Sequence, residues 1–255
     1  MRANDNIKIL LMAPLLAGIL AFGWPAVAAD PSGAPPDAAA LLARFSALTR
    51  GKVAELKSIR QLTTVSTRMG EQSVTMEQRV EMIFPDRIRR TMLMDGNEQA
   101  IVINAGTGFM ASGEMSLPLP SDRLTESVKQ LGRELLLLAA SIDSPDLKAS
   151  LAGEDERGGR ACRMIDVSLG TVRSRLCLDD EGRALSQSFA SRHPMSNAPG
   201  TIEILFSDYR DADGAYIPFQ QVLTFDDEPM VTVTLQSLEI NPDLPDSLFE
   251  IPSSE

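Results

Sequence analysis

The chain has 255 residues, 44% of them apolar and 23% charged, and a formal net charge of −11. Such a composition is that of a globular protein with a sizeable buried core. The acidic balance repels nucleic-acid phosphates and anionic headgroups, which argues against DNA, RNA and peripheral membrane binding. Any contact with lipid would therefore have to take place in an apolar cavity.

Residues 1–29 have the pattern of a secretory signal peptide. Arg2 and Lys8 precede an apolar run over residues 9–24, and Ala26-Val27-Ala28 forms a small-x-small cleavage site. We therefore expect cleavage near Ala28/Ala29, a periplasmic location and no stable membrane insertion of the mature protein. The alternative is an uncleaved anchor, because the apolar stretch approaches the length of a membrane span.

The remainder is predicted to be a short linker followed by one domain. Residues 30–36 are a Pro/Gly/Ala linker, and the order helix, strands, helix, strands over residues 37–255 favours a single α+β domain. Asp37 is the expected cap of a first helix that Gly51 ends. The apolar positions of this helix fall on one face: Leu41, Leu42, Phe45 and Leu48.

Strands are predicted between residue 58 and residue 110. The clearest is the stretch from Ser73 to Phe84, in which polar and apolar residues alternate until Phe84-Pro85-Asp86 breaks the pattern. A further strand carries Ile88, Met92 and Met94 on one side. Asp95-Gly96-Asn97 then turns into the strand of residues 99–104.

A second helix is predicted from Ser121, its N-cap, to about Ser141. Its apolar residues recur at helical spacing: Leu124, Val128, Leu131, Leu135 and Leu138. The block from Leu135 to Ala140 is apolar on nearly every side. This part of the helix must therefore be buried or must cover an apolar cavity.

The second half of the chain has the pattern of an antiparallel meander. The meander is expected to begin after residues 153–158. Asp179 to Gly182 and Asp226 to Pro229 are interpreted as two of the turns within it, with solvated carboxylates. The strands are expected near residues 160–168, 172–178, 183–190, 201–209, 215–225 and 230–240.

Two cysteines, Cys162 and Cys177, lie on adjacent strands of this meander. A loop over residues 168–171 pairs residues whose numbers sum to 339, which places the two cysteines directly opposite each other and Asp166 opposite Arg173. Because exported proteins tolerate disulfides, we expect a structural disulfide. The alternative is two free thiols on a solvent-facing strand.

The sequence contains no motif for catalysis or for a cofactor. His193 is the single histidine and is expected in a surface loop, so it cannot share a metal with a second histidine. Neither a zinc motif, a phosphate-binding loop nor a Gly-x-Ser-x-Gly elbow is present. We expect no metal, no cofactor and no enzymatic activity. The alternative is a hydrolase with an unrecognised pair of carboxylates.

Methionines are concentrated in the first group of strands. Their usual role would be to fill a core with adaptable side chains. If these strands face the leucine-rich helix, they would instead line a cavity that accepts acyl chains of variable length. Seven of the ten methionines after the signal lie there: Met69, Met76, Met82, Met92, Met94, Met110 and Met115.

The order of several short motifs resembles that of the bacterial periplasmic lipoprotein-carrier and outer-membrane lipoprotein-sorting proteins, the LolA/LolB-like family. The resemblance spans nearly the whole mature chain. It implies a single strongly curved antiparallel sheet, an unclosed β-barrel, with helices covering its concave side. The matching segments are residues 84–90 (Phe-Pro-Asp-Arg-Ile-Arg-Arg), 95–97, 101–104, 106–109 and the ending 241–252.

The resemblance implies a non-enzymatic binding protein whose ligand is a lipid acyl chain or the lipidated segment of a lipoprotein. The alternative is an accessory module of the same fold that binds an envelope protease or stress sensor and carries no lipid. The expected cavity residues are Met82, Phe84, Met92, Met94, Ile101 and Ile103 from the sheet, and Leu131, Leu135 and Leu138 from the helix.

One position departs from the family pattern. The carriers have an arginine immediately before the proline of the first motif, and that arginine holds the covering helices closed. Here the position is Phe84. The departure favours a relative that uses its cavity differently, unless Arg87, Arg89 or Arg90 takes over the arginine's role.

Overall fold

The computed structural model describes residues 36–250, except residues 50–52, 70, 71, 95, 114, 194, 195 and 197. The predicted signal peptide, almost all of the linker, and Gly51 lie outside the described residues. In the described part of the chain, none of the helices has both the length and the apolar character needed to cross a membrane.

Among the residues that the structure describes, thirteen strands form one antiparallel sheet. In space they follow the order β6-β5-β4-β3-β2-β1-β13-β12-β11-β10-β9-β8-β7, so β6 and β7 are the edges and the sheet does not close. Two meanders, β1–β6 and β7–β13, are thus joined side by side through β1 and β13. The strands are β1 Ser58–Met69, β2 Gln72–Ile83, β3 Arg87–Met94, β4 Asn97–Asn104, β5 Thr107–Ser112, β6 Met115–Pro118, β7 Leu147–Arg157, β8 Arg160–Leu169, β9 Val172–Leu178, β10 Ala184–Arg192, β11 Pro199–Ala212, β12 Ala215–Phe225 and β13 Glu228–Ile240.

Within the described ranges, the α-helices are α1 Pro36–Thr49, α2 Ser121–Leu131 and α3 Leu135–Ala140, and two 3₁₀ turns cover Val53–Glu55 and Asp246–Phe249. The prediction of one continuous helix up to residue 141 is wrong, because residues 132–134 form a turn between α2 and α3. Two tight hydrogen bonds close this turn, Arg133 N to Gln130 O and Glu134 N to Leu131 O, each 3.1 Å long. The break allows the all-apolar α3 to enter the core while α2 keeps a polar face outside.

The six predicted strands of the second meander are confirmed, with ends that differ by a few residues. The expectation that the meander begins only after residue 158 is wrong, because Leu147–Arg157 already form its first strand, β7. In β7, exposed and half-buried residues alternate irregularly, which is typical of an edge strand with one covered face. The short edge strand β6 was not predicted either.

The hairpin β8–β9 has a tighter turn than predicted. Leu169 pairs with Val172, so the register sum is 341, and Asp166 lies opposite Arg175 instead of Arg173. A shift of two residues leaves every side chain on its predicted face. The opposite-charge pair therefore still forms, with Arg175 Nε donating to Asp166 Oδ1 over 2.6 Å.

The predicted disulfide between Cys162 and Cys177 is confirmed, although the two residues are diagonal neighbours and not directly opposed. Their Cα atoms are 5.5 Å apart, well within the range of protein disulfides. Both side chains are buried and pack with Leu185 and Met164. The alternative of two solvent-facing thiols is therefore wrong.

The carboxylate of Asp179 is not solvated, contrary to the prediction for this turn. It is buried, accepts backbone hydrogen bonds from Glu181 and Arg183, and pairs with the side chains of Arg160 and Arg183. Its neighbour Asp180 is exposed, as predicted. Asp179 thus organises the β9–β10 turn because its oxygens replace water as partners for the turn's donors.

The core lies mainly on the helix-covered side of the sheet. One cluster joins α1 to β8–β12, and a second joins α2 and α3 to β1–β4, β12 and β13. A third cluster lies on the outer side, where Leu244 and Phe249 of the C-terminal segment cover Val102 and Phe109. Both faces of β4 are therefore buried.

Candidate binding site beneath the second and third helices

Helix α2 crosses the concave side of the sheet from one meander to the other. At its start, a Cβ atom placed on Gly108 of β5 would lie 3.2 Å from Leu124 Cδ1. At its end, a Cβ atom placed on Gly132 would lie 2.9 Å from Cγ2 of Val172, the first residue of β9. We call residues 121–140, which comprise α2, the turn and α3, the lid.

An apolar surface of the sheet lies beneath the lid. Met82, Ile88, Ile101 and Ile103 are each no more than 5% exposed and form one cluster with Leu131. They share a face because Met82 pairs with Ile88, and Ile88 with Ile103, across adjacent strands. We call these four sheet residues the floor.

The structure brings only part of the predicted site together. Three of the predicted sheet residues are in the floor, Leu131 packs on them, and Phe84 packs half-buried at the margin of the same cluster. Leu135 and Leu138 instead pack into the cluster under α1, because the turn at residues 132–134 redirects the chain. Met92 is buried. The side chain of Met94 lies outside the described residues. A ligand-binding role for all nine residues stays a prediction.

The space beneath the lid is filled by the protein's own side chains. A small cavity with room for about 10 Å³ lies next to α1, against Phe45, Leu135 and Tyr209. That is roughly the space for one water molecule, whereas ligand pockets measure about 300–1,000 Å³. A ligand can therefore reach the floor only if the lid moves.

Two charged residues that the sequence did not connect, Arg90 beneath the lid and Glu134 in it, act on each other electrostatically. Arg90 lies on the floor side of β3, between Val80 of β2 and Ile101 of β4. Glu134 ends the turn before α3. Burial raises the pKa of Glu134 to about 7, and the charge of Arg90 opposes that rise. Burial also lowers the pKa of Arg90, which the charge of Glu134 partly restores.

The turn of the lid rests on β10 through a second group of polar contacts. Arg133 donates to Glu126 over 2.6 Å, and both side chains are less than 10% exposed. The Arg133 guanidinium lies 4.0 Å from the centre of the Phe189 ring, and Gln187 Nε2 donates to the Arg133 carbonyl over 3.1 Å. The position of Glu126 on an otherwise polar stretch of α2 gave no sequence signal for this contact.

No protein-family model and no curated protein matches the sequence. Among solved structures, one match is a domain from Vibrio parahaemolyticus that is assigned to outer membrane lipoprotein sorting. The alignment covers 84% of this chain and 96% of that domain, with 10% sequence identity and a TM-score of 0.52. A LolA superfamily protein from Nitrosomonas europaea matches 84% of this chain and 97% of its own at 10% identity, with a TM-score of 0.55. The fold is that of the LolA superfamily.

A protein of the DUF1329 family from Desulfovibrio piger also shares the LolA-like fold. It matches 85% of this chain and 98% of its own at 12% identity, with a TM-score of 0.54. At such low identities the likeness shows the fold alone. The resemblance predicted from the order of the motifs is thus confirmed at the level of the curved sheet and its helices.

Of the three arginines considered as substitutes at the Phe84 position, one faces the lid in this LolA-like sheet. Arg87 binds the side chain of Asp246 over 2.5 Å, and Arg89 donates to the Leu248 carbonyl over 3.2 Å, so both lie on the outer side under the C-terminal segment. Arg90 alternates with them and therefore lies on the inner side, opposite the helices.

Proposed function

We propose that the protein is a non-enzymatic periplasmic binding protein that holds an acyl chain, or the lipidated segment of a lipoprotein, between floor and lid. The observation that carries the proposal is the path of α2 from β5 to β9 over the apolar floor. Lifting the lid would expose that floor without opening the sheet. The description of one structure of this fold as a lipoprotein-sorting domain agrees with the proposal.

The contacts of the lid suit an element that moves. Its turn is held by the buried Glu126–Arg133 pair and faces Arg90 through Glu134. Buried ion pairs add little net stability, because desolvation offsets most of their attraction. Each methylene group that a ligand buries contributes about 0.8 kcal/mol. A long acyl chain could therefore repay the cost of opening and still bind with micromolar affinity after association costs.

A reversible crosslink tests the requirement for lid movement. A Cβ atom on Gly132 would lie 3.2 Å from Val172 Cβ, close to the roughly 3.5–4.5 Å of natural disulfides. In Gly132→Cys/Val172→Cys, oxidation would fix the end of α2 to β9. We expect the oxidised protein to take up no fluorescent fatty acid and the reduced protein to take it up normally.

Two controls distinguish the effect of the engineered crosslink from other effects of oxidation and reduction. The wild type must go through the same oxidation and reduction, because it carries its own disulfide between Cys162 and Cys177. Val172→Cys alone must respond to neither treatment. Equal uptake by the oxidised and reduced forms of the double variant would show that ligand does not enter beneath the lid.

The filled space beneath the lid favours a second function. A module of the same fold whose core is permanently closed could bind an envelope protease or stress sensor without carrying lipid. Mass spectrometry of the protein purified from its native cells distinguishes the two functions. Lipid in an organic extract supports the first function, and a co-purified polypeptide with a lipid-free extract supports the second.

A further inference from the structure

Two buried polar atoms interrupt the apolar surface beneath the lid. Among the described residues, neither Arg90 Nε nor Gln99 Oε1 has a hydrogen-bond partner. A buried polar atom without a partner costs roughly 1–3 kcal/mol. Each such atom calls for a partner, which can be a water molecule, an ion or a ligand.

The two residues are neighbours on the same face of the sheet. Arg90 pairs with Ile101, and Met92 pairs with Gln99, so Arg90 and Gln99 occupy diagonal positions on β3 and β4. Diagonal neighbours lie within reach of each other's long side chains. Ile88, Val80 and Ile101 surround Arg90 on its own and the adjacent strands. The result is one cationic and hydrogen-bonding spot inside an otherwise apolar floor.

This arrangement matches an amphiphile, which has a charged end and an apolar chain. From the geometry we infer that Arg90 and Gln99 bind the anionic head group of an acyl lipid whose chain lies along Met82, Ile101 and Ile103. A guanidinium binds carboxylates and phosphates through charge-assisted hydrogen bonds. The Gln99 amide offers its oxygen to a head-group hydroxyl or its NH₂ group to the anion. This inference rests on the proposed function and narrows its ligand class.

Glu134 is the residue of the lid whose negative charge acts on Arg90 while the lid is in place. The charges of Arg90 and Glu134 stabilise each other, and Glu134 belongs to the lid. When the lid lifts, Glu134 leaves Arg90, and the guanidinium becomes available to an incoming anion. Head-group binding and lid opening would thus exchange one negative charge for another near Arg90.

The test compares three probes with the same eighteen-carbon oleyl chain in a displacement assay with a neutral fluorescent acyl probe. Oleate carries a carboxylate, oleoyl lysophosphatidate carries a phosphate and a hydroxyl, and oleyl alcohol is neutral. We expect the wild type to bind one or both anions about tenfold or more tightly than the alcohol, because hydrogen bonds to charged groups are strong. The tighter of the two anions identifies the head-group class.

Substitutions then assign the preference to Arg90. Arg90→Met should bind the anions no more tightly than the alcohol. Its affinity for oleyl alcohol should stay within about twofold of the wild-type value, which is the range of a neutral surface substitution. Glu134→Gln should strengthen anion binding, because a competing carboxylate is gone. Arg79→Met is the matched control, since Arg79 is an exposed arginine that faces outward on β2. It should change no affinity.

The double variant Arg90→Met/Glu134→Gln is the control for misfolding. It removes both charges, so no buried charge is left without an opposite one. Its far-ultraviolet circular dichroism and melting curve should match those of a folded protein, and its anion preference should be absent. Equal binding of all three probes by the wild type, or an anion preference that survives Arg90→Met, would overturn the inference while leaving acyl binding intact. Failure of every probe to bind would overturn the proposed function itself.

Discussion

Gly132, at the C-terminal end of α2, lies directly against Val172 at the start of β9. A Cβ atom on Gly132 would come within 2.9 Å of Val172 Cγ2 and 3.2 Å of Val172 Cβ. The backbone of Gly132 is ordinary right-handed helix, with φ −66°. The position therefore needs glycine for space and not for backbone freedom, and this contact sets how closely the lid approaches the second meander.

We expect Gly132→Ala to destabilise the protein by roughly 1–3 kcal/mol, as overpacking does at a close contact. Without the contact, alanine at this helical backbone would stabilise by up to about 1 kcal/mol. The free energy of unfolding in urea measures the effect. Val172→Ala in the same chain should restore most of the loss by making room. If Gly132→Ala is as stable as the wild type, the lid does not approach β9 this closely.

Gly182 makes an even closer contact with α1. A Cβ atom on Gly182 would lie 2.5 Å from Phe45 N and 2.6 Å from Arg44 C, which are backbone atoms that cannot turn aside. Gly96 is the matched control, because it has a similar positive φ, +79° against +87°, and nothing within 4 Å of its added Cβ. Gly96→Ala therefore reports the backbone strain alone, about 1–2 kcal/mol.

We expect Gly182→Ala to lose at least about 2 kcal/mol more than Gly96→Ala, because overpacking adds to the same strain. Limited proteolysis should cleave near α1 in the first variant and not in the second, since α1 has to move away from the β9–β10 turn. Similar losses in the two variants would mean that α1 does not dock on this turn.

The meanders were largely predictable from sequence, because a half-buried strand alternates its side chains and a turn needs glycine or acidic residues. What the sequence could not supply was the exact turn of β8–β9. A two-residue turn at Gly170-Thr171 and a four-residue loop over residues 168–171 both suit the local pattern. The two alternatives shift the pairing of β8 and β9 by two residues, and such a shift leaves each side chain on the same face of the sheet. The strand β7 was missed because its charged residues at 154–157 have the composition of a turn.

The candidate site was predictable only where its residues share one strand face. Met82, Ile101 and Ile103 came together because each follows the alternation of its strand. Leu135 and Leu138 did not join them, because helical periodicity carries no signal for the break at residues 132–134. The electrostatic interaction of Arg90 with Glu134 involves residues 44 positions apart and requires the tertiary structure. The position of Arg90 between Ile88 and Met92, on an apolar face, was already visible in the sequence.

The disulfide between Cys162 and Cys177 should stabilise the protein by about 3 kcal/mol, the value for a closed loop of this length. We expect Cys162→Ala/Cys177→Ala to lower the free energy of unfolding by about that amount. Adding a reductant to the wild type should reproduce the loss and should leave the variant unchanged. A variant as stable as the oxidised wild type would show that the β8–β9 hairpin holds its register without the crosslink.

The raised pKa of Glu134 predicts a particular dependence of stability on pH. Its pKa rises from 4.5 in the unfolded chain to about 7 in the folded protein, chiefly through burial. Between these two values the folded state holds a proton that the unfolded state has lost. The contribution of Glu134 is therefore fully present below pH 4.5 and is lost as the pH rises toward 7. It amounts to roughly 3 kcal/mol at most.

Urea unfolding at pH 5, 6, 7 and 8 measures this contribution when the wild type is compared with Glu134→Gln. The variant has no carboxyl group to titrate, so its stability should fall less between pH 5 and pH 8 than that of the wild type. Arg90→Met provides the opposite test: removing the charge that opposes the rise should raise the pKa of Glu134 further and move the window to higher pH. Parallel profiles for all three proteins would mean that Glu134 stays solvated and that the lid does not bury it against the floor.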